Sequence, residues 1–193
     1  MQAPRLPISY LPQQTVQPVK GADAVSVQVK VEDVEPETFN YFMGNLHYQV
    51  KDAPETLQGA AESELKARGF RIADGGGVVS IQLSAFGATC DVDNFSTDVT
   101  SRGSLSMRVE VQSQTGKVQY SRVVGGEAIP AYAFLWMKKC ATPELQGALE
   151  DAFKRLFADP AFTAAILSTR QQPPPKPVSP GRIAGAFAIM SRR

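Results

Sequence analysis

The run Leu105-Ser106-Met107-Arg108-Val109-Glu110-Val111 decides the fold. Its apolar residues fall at every second position, the repeat of a strand with one buried face. Thr115-Gly116 then turns the chain, and Val118, Tyr120 and Val124 return, so the two runs form a hairpin. Working toward the N-terminus, Val79, Ile81, Leu83 and Ala85 alternate with Ser80, Gln82 and Ser84, just after the turn Gly75-Gly76-Gly77. Val25, Val27, Val29 and Val31 alternate in the same way with Ser26, Gln28 and Lys30. Phe70 and Ile72 open a short strand, and Leu46, Tyr48 and Val50 suit another. The polar stretch Asp91–Ser104 reads as a connection.

Two helices complete the pattern. The first is predicted over 52–68, with Asp52 as N-cap, Glu55 three residues on as in a capping box, and Leu57, Ala61 and Leu65 as its core stripe. The second is predicted over 143–157, capped by Thr142, with Pro143 in its first position and Glu144 complementing the dipole. Leu145, Leu149, Ala152, Phe153 and Leu156 form its apolar face, and Asp159-Pro160 starts a shorter helix carrying Phe162, Ile166 and Leu167. The fold class is α/β in the α+β sense: a small mixed, largely antiparallel sheet with two main helices packed on one face. The other sheet face is polar.

Prolines mark the ends. Pro4, Pro7, Pro12 and Pro18 make residues 1–22 an extended leader or tether. Residues 23–170 form a single domain. Residues 171–193 comprise a proline-rich linker and a short apolar C-terminal segment holding Ile183, Phe187, Ile189 and Met190. Disordered ends are usually poorer in such residues. The segment is expected either to dock, as an added strand on a sheet edge or against a neighbouring molecule in a homo-oligomer, or to be a mobile end.

Charge bounds the function. Twenty basic and 19 acidic residues give a net charge of +1, without the basic excess of a nucleic-acid binder. No apolar run approaches the roughly 20 residues of a membrane helix. Residues Met1–Gln14 lack the basic start and apolar stretch of a signal peptide, so the chain reads as cytosolic or as a mature secreted form.

The residues supply no catalytic, cofactor or metal site. Gly75-Gly76-Gly77 precedes a strand, where a phosphate loop precedes a helix. His47 is the single histidine. Asp91, Asp93 and Asp98 lack the calcium-loop pattern. Tyr132, Phe134, Leu135 and Trp136 read as core or as a partner patch, since Tyr and Trp are rich in interface hot spots. Lys138 and Lys139 beside them suit a headgroup boundary. Cys90 and Cys140 read as two buried thiols or as one disulfide, the latter requiring an oxidising compartment.

Several stretches resemble the YajG-like family of small bacterial lipoproteins: Ala24–Val34, Leu65-Lys66-Ala67-Arg68-Gly69-Phe70-Arg71-Ile72, Val79–Phe86, Tyr120-Ser121-Arg122, and Leu145–Leu167 with Leu156-Phe157-Ala158-Asp159-Pro160. Together they cover roughly residues 24–168. The resemblance implies a periplasm-facing lipoprotein held at the outer membrane only by an N-terminal lipid. It brings no catalytic residues. A lipidated cysteine is implied at the mature N-terminus; residue 1 here is Met1. The expected function is non-enzymatic binding of another cell-envelope protein. The alternative is a small-ligand or glycan binder using the polar sheet face or a helix–sheet cleft.

Overall fold

A computed structural model describes residues 5–10, 16–33, 45–92, 99–128 and 137–170. The elements in chain order are β1 (Arg5–Leu6), β2 (Ser26–Asp33), β3 (Asn45–Val50), α1 (Ala53–Ala67), β4 (Arg71–Ile72), β5 (Gly77–Val92), β6 (Val99–Gln112), β7 (Val118–Ala128), α2 (Met137–Ala158) and α3 (Pro160–Ser168). The strands form one mixed sheet with the helices against one face, as the alternations predict.

β5 organises the sheet. Along one edge it pairs antiparallel with β6 from Val78 to Val92. Its other edge is shared: residues 77–83 run parallel to β2, and residues 87–91 run antiparallel to β3. An irregularity between Leu83 and Ala85 separates the two halves. A bulge inserts one residue and so reverses which side chains face inward. Val79, Ile81 and Leu83 are buried before it, and Phe86, Ala88 and Cys90 after it. Ala85, expected on the core face, is only half-buried for this reason.

A second irregularity lies between Val111 and Gln112, where Val111 faces Tyr120 but Gln112 faces Val118. Val118 is therefore turned outward and is 48% exposed, not inward with Tyr120 and Val124 as the simple alternation predicts. The described parts of the polar stretch Asp91–Ser104, residues 91–92 and 99–104, are also strand, with Val92 opposite Val99. Its inward residues include Ser101 and Gly103, small side chains that carry no hydrophobic signal.

Those small residues admit α2. A Cβ on Gly103 would lie 2.1 Å from the Glu144 carbonyl oxygen, and one on Gly126 would lie 2.0 Å from that of Ala148. The helix backbone thus sits directly on β6 and β7. Leu145, Leu149 and Phe153 are buried against the sheet, as are Leu57, Ala61 and Leu65 of α1.

Both helix starts differ from expectation. Asp52 adopts a left-handed backbone (φ 49°, ψ 50°), and its side chain makes no cap hydrogen bond. An N-cap side chain reaches the first-turn N–H groups from extended backbone, so the capping box with Glu55 does not form. Pro143 lies inside α2 rather than at its start. It removes one ladder hydrogen bond and crowds the preceding turn. Full burial of Ala141 just ahead of it ties that turn to the core. Glu144 consequently leaves the first turn and is buried, 2% exposed.

Part of the proline-rich leader lies on the body. Arg5 and Leu6 pair in parallel with Gln49 and Val50, and Lys51 N donates to Leu6 O at 2.8 Å. Val19 N donates to Arg68 O at 2.9 Å, and Ala22 is fully buried. Residues 171–193 lie outside the described residues.

Leu65→Ala and Phe153→Ala should each lower stability by about 2–5 kcal/mol in chemical denaturation, as core truncations do. Gly126→Ala should be destabilising through overpacking, by about 1–3 kcal/mol or more. Gly125→Ala, whose added Cβ would meet only Leu105 O at 3.7 Å, serves as the tolerant control. Equal melting temperatures for the two glycine variants would show that α2 stands off the sheet.

Candidate functional site

Asp159 joins β7 to the helices. As N-cap of α3 it accepts from Ala161 N at 2.9 Å through Oδ1. Its Oδ2 accepts from Arg122 Nη1 at 2.8 Å and from the Tyr120 hydroxyl at 3.1 Å. The Arg122 hydrogen bond, followed by the Ala161 N–H, holds the Asp159 carboxyl below the usual carboxylate range. Its stabilising contribution is therefore present at neutral pH and is lost as pH falls through the lowered value. Burial, reinforced by the Asp159 hydrogen bond, pushes the Tyr120 phenol up to about 12. Tyr120, Val123 and Gly125 form the strand wall of a cleft beside β7, with Arg155 and Leu156 opposite; its volume is about 280 Å³.

A second cluster forms where the leader meets α1 and α2. The Tyr10 hydroxyl donates to Glu64 Oε1, and Arg68 Nη1 donates to Glu64 Oε2. Glu64 is buried, so both oxygens of its carboxylate are satisfied away from water, as a buried charge requires. The Arg68 guanidinium lies 3.7 Å from the Phe157 ring centroid, a cation–π contact. The Tyr10 ring packs 5.5 Å from that of Phe153. Burial, then the nearby Glu150, pushes the Tyr10 phenol up to about 12, while burial lowers Arg68.

Two further polar places stand apart. Glu144 accepts from Ser101 Oγ through Oε1, while its buried Oε2 has no hydrogen-bond partner among the described residues. A cleft of about 290 Å³ at the other end of the sheet is lined by Arg71, Arg170, Asp74 and Gln114. There Gln28 Nε2 donates to Asp74 at 3.0 Å, and Gln114 Nε2 donates to Gly75 O at 2.7 Å.

The residues singled out in the sequence do not gather at these places. Gly75-Gly76-Gly77 forms a turn into β5. A Cβ on Gly76 would lie 2.1 Å from Ser26 O, and one on Gly77 would lie 2.4 Å from Thr169 Oγ1, so close packing accounts for both. His47 pairs with Thr89 through the β3–β5 ladder. Asp91 is a residue of β5, whereas Asp93 and Asp98 lie outside the described residues. Cys90 is fully buried at the far end of β5, and Cys140 falls in the first turn of α2. Tyr132, Phe134, Leu135 and Trp136 lie outside the described residues, as do Ile183, Phe187, Ile189 and Met190. Among the described residues no group of His, Cys, Asp and Glu is arranged to hold a metal ion. No described helix is long and apolar enough to cross a membrane.

A family model described as an uncharacterized lipoprotein matches residues 12–167. The chain belongs to this family. The match spans nearly all of the sheet and its helices, and it bears out the YajG-like resemblance. As a lipoprotein-family member the protein is associated with the cell envelope. No curated protein matches the chain.

The Tyr10 cluster gives a signed pH dependence. A phenol whose folded pKa is raised stabilises fully below its unfolded value and loses that contribution as pH rises toward the folded one. Wild type should therefore exceed Tyr10→Phe in urea midpoint at about pH 9, and the gap should narrow by about pH 11. A gap that stays constant would place the Tyr10 hydroxyl in solvent.

Proposed function

We propose that this lipoprotein is a non-enzymatic module, facing the periplasm and anchored at the outer membrane, that binds another envelope protein through its bare sheet face. One observation carries the reading. The described helices all pack on the core side, leaving Lys30, Gln82, Arg108, Glu110, Ser121 and Val123 on a broad face that no described helix covers. Val123 is 57% exposed there and Val118 is 48% exposed, and both lie on β7. An apolar spot within a polar, mixed-charge field matches the composition of non-obligate protein interfaces.

A photo-crosslinking residue placed at Gln82 or Arg108 in cells should give a discrete protein adduct, while one at Lys66 on α1 should not. Adducts from Lys66 alone would move the interface to the helical side. Should sheet-face positions give none, while soluble glycan fragments shift their amide resonances, the face is a carbohydrate site.

The same reading includes a Cys90–Cys140 disulfide, suited to an oxidising periplasm. In its support, Cys90 ends a core strand, Cys140 adjoins fully buried Ala141, and no free cysteine occurs among the described residues. A bridge closing a loop of about 50 residues is worth roughly 4 kcal/mol on the chain-entropy model. Protein purified under oxidising conditions should show no reactive thiol in denaturant, and reduction should lower its melting temperature. Two reactive thiols would refute the bridge.

A further inference from the structure

β7 is an edge strand: among the described residues it pairs with β6 alone. Its register with β6 is regular from Tyr120 to Ala128, so alternate residues present their backbone groups outward. Glu127 N identifies which set does so, because it donates to Asp151 Oδ2 of α2 at 3.1 Å instead of to β6. By alternation Ser121, Val123 and Gly125 also direct N–H and C=O away from β6. No described strand meets these three, and β7 carries neither the proline nor the lysine that commonly protects an edge. Beside them lies the cleft of about 280 Å³, where Leu156 and the Tyr120 ring stand next to Arg155 and the Arg122–Asp159 pair. A strand edge with a helix-walled cleft alongside is the geometry that takes up an extended segment by strand addition.

We propose that residues 183–190 of the same chain occupy this edge as an added strand. The segment reads Ile183-Ala184-Gly185-Ala186-Phe187-Ala188-Ile189-Met190. At period two Ile183, Gly185, Phe187 and Ile189 fall on one face, and Ala184, Ala186, Ala188 and Met190 on the other, so one face carries most of the bulk, as a strand against a cleft requires. The path is short. Asp159, the N-cap of α3, is bonded to Tyr120 and Arg122 of β7. Arg170, which follows α3, lines the same cleft as Gln114 of the β6–β7 turn. Twelve residues, 171–182, would reach roughly 35–40 Å if polyproline-like at about 3.1 Å per residue, comparable to the length of β7. Large side chains would enter the cleft beside Leu156, and the alanines would continue the outer sheet face next to Val123.

Amide exchange in the full-length chain tests this. Ser121, Val123 and Gly125 should exchange slowly in wild type and at least about tenfold faster in the Phe187→Asp/Ile189→Asp variant. β6 amides such as Val109 should keep their rates in both, which controls for loss of the fold. Equal exchange at the three positions, whether fast or slow, overturns the proposal. Protection that disappears on dilution, together with a fall in mass from dimer to monomer, also overturns it and assigns the edge to a second copy. Protection independent of concentration, and lost in the variant, supports docking within one chain.

Discussion

The sheet depends on one extra residue in β5. Without the irregularity at Ser84, a strand of this length would keep one face inward throughout, and Phe86, Ala88 and Cys90 would point to the outer face. With it, the inward set changes parity where the neighbour changes from β2 to β3. One strand thereby carries a parallel neighbour along its first half and an antiparallel one along its second. The β2–α1–β4 unit and the β1–β3 pair are held by the same backbone.

The second constraint is the close approach of α2. Helix–sheet layers are usually separated by interlocking side chains. At Gly103 and Gly126 the separation vanishes locally, and the helix carbonyls of Glu144 and Ala148 stand where a Cβ would be. This draws Phe153 and Leu156 deep into the core, and it brings the α2–α3 junction within reach of Tyr120 and Arg122. The Asp159 hub follows from that closeness.

Much of the architecture was legible in the sequence. The valine alternation of β2, the β6 run and the helix stripes each repeat with the period of their element. The departures came where one residue breaks a period. Ser84 and Gln119 look like ordinary polar members of an alternation, yet each sits at an irregularity that turns its neighbours over. Ser101 and Gly103 pointed inward without apolar side chains, so part of a strand read as a loop. The candidate sites were harder. Asp159 was readable as a helix start, but its partners lie on β7, far back in the chain, and nothing local announces them. Tyr10 and Glu64 are farther apart still, and a tyrosine in a proline-rich leader carries no mark of burial. The family resemblance was legible because fold-making residues carry it, and for the same reason it says little about ligand or partner.

The stitched leader has a mechanical meaning. A pull on the N-terminal side of Arg5 first loads the short β1–β3 pairing, which lies along the direction of the strand. Beyond it come the Tyr10–Glu64 contact and then the Val19 N–H on Arg68. These fastenings follow one another along the chain, so a load on the leader meets them in that order before it reaches β2. The described parts of the leader thus place a strand pairing, a part-buried side-chain hydrogen bond and a backbone hydrogen bond between its start and the core.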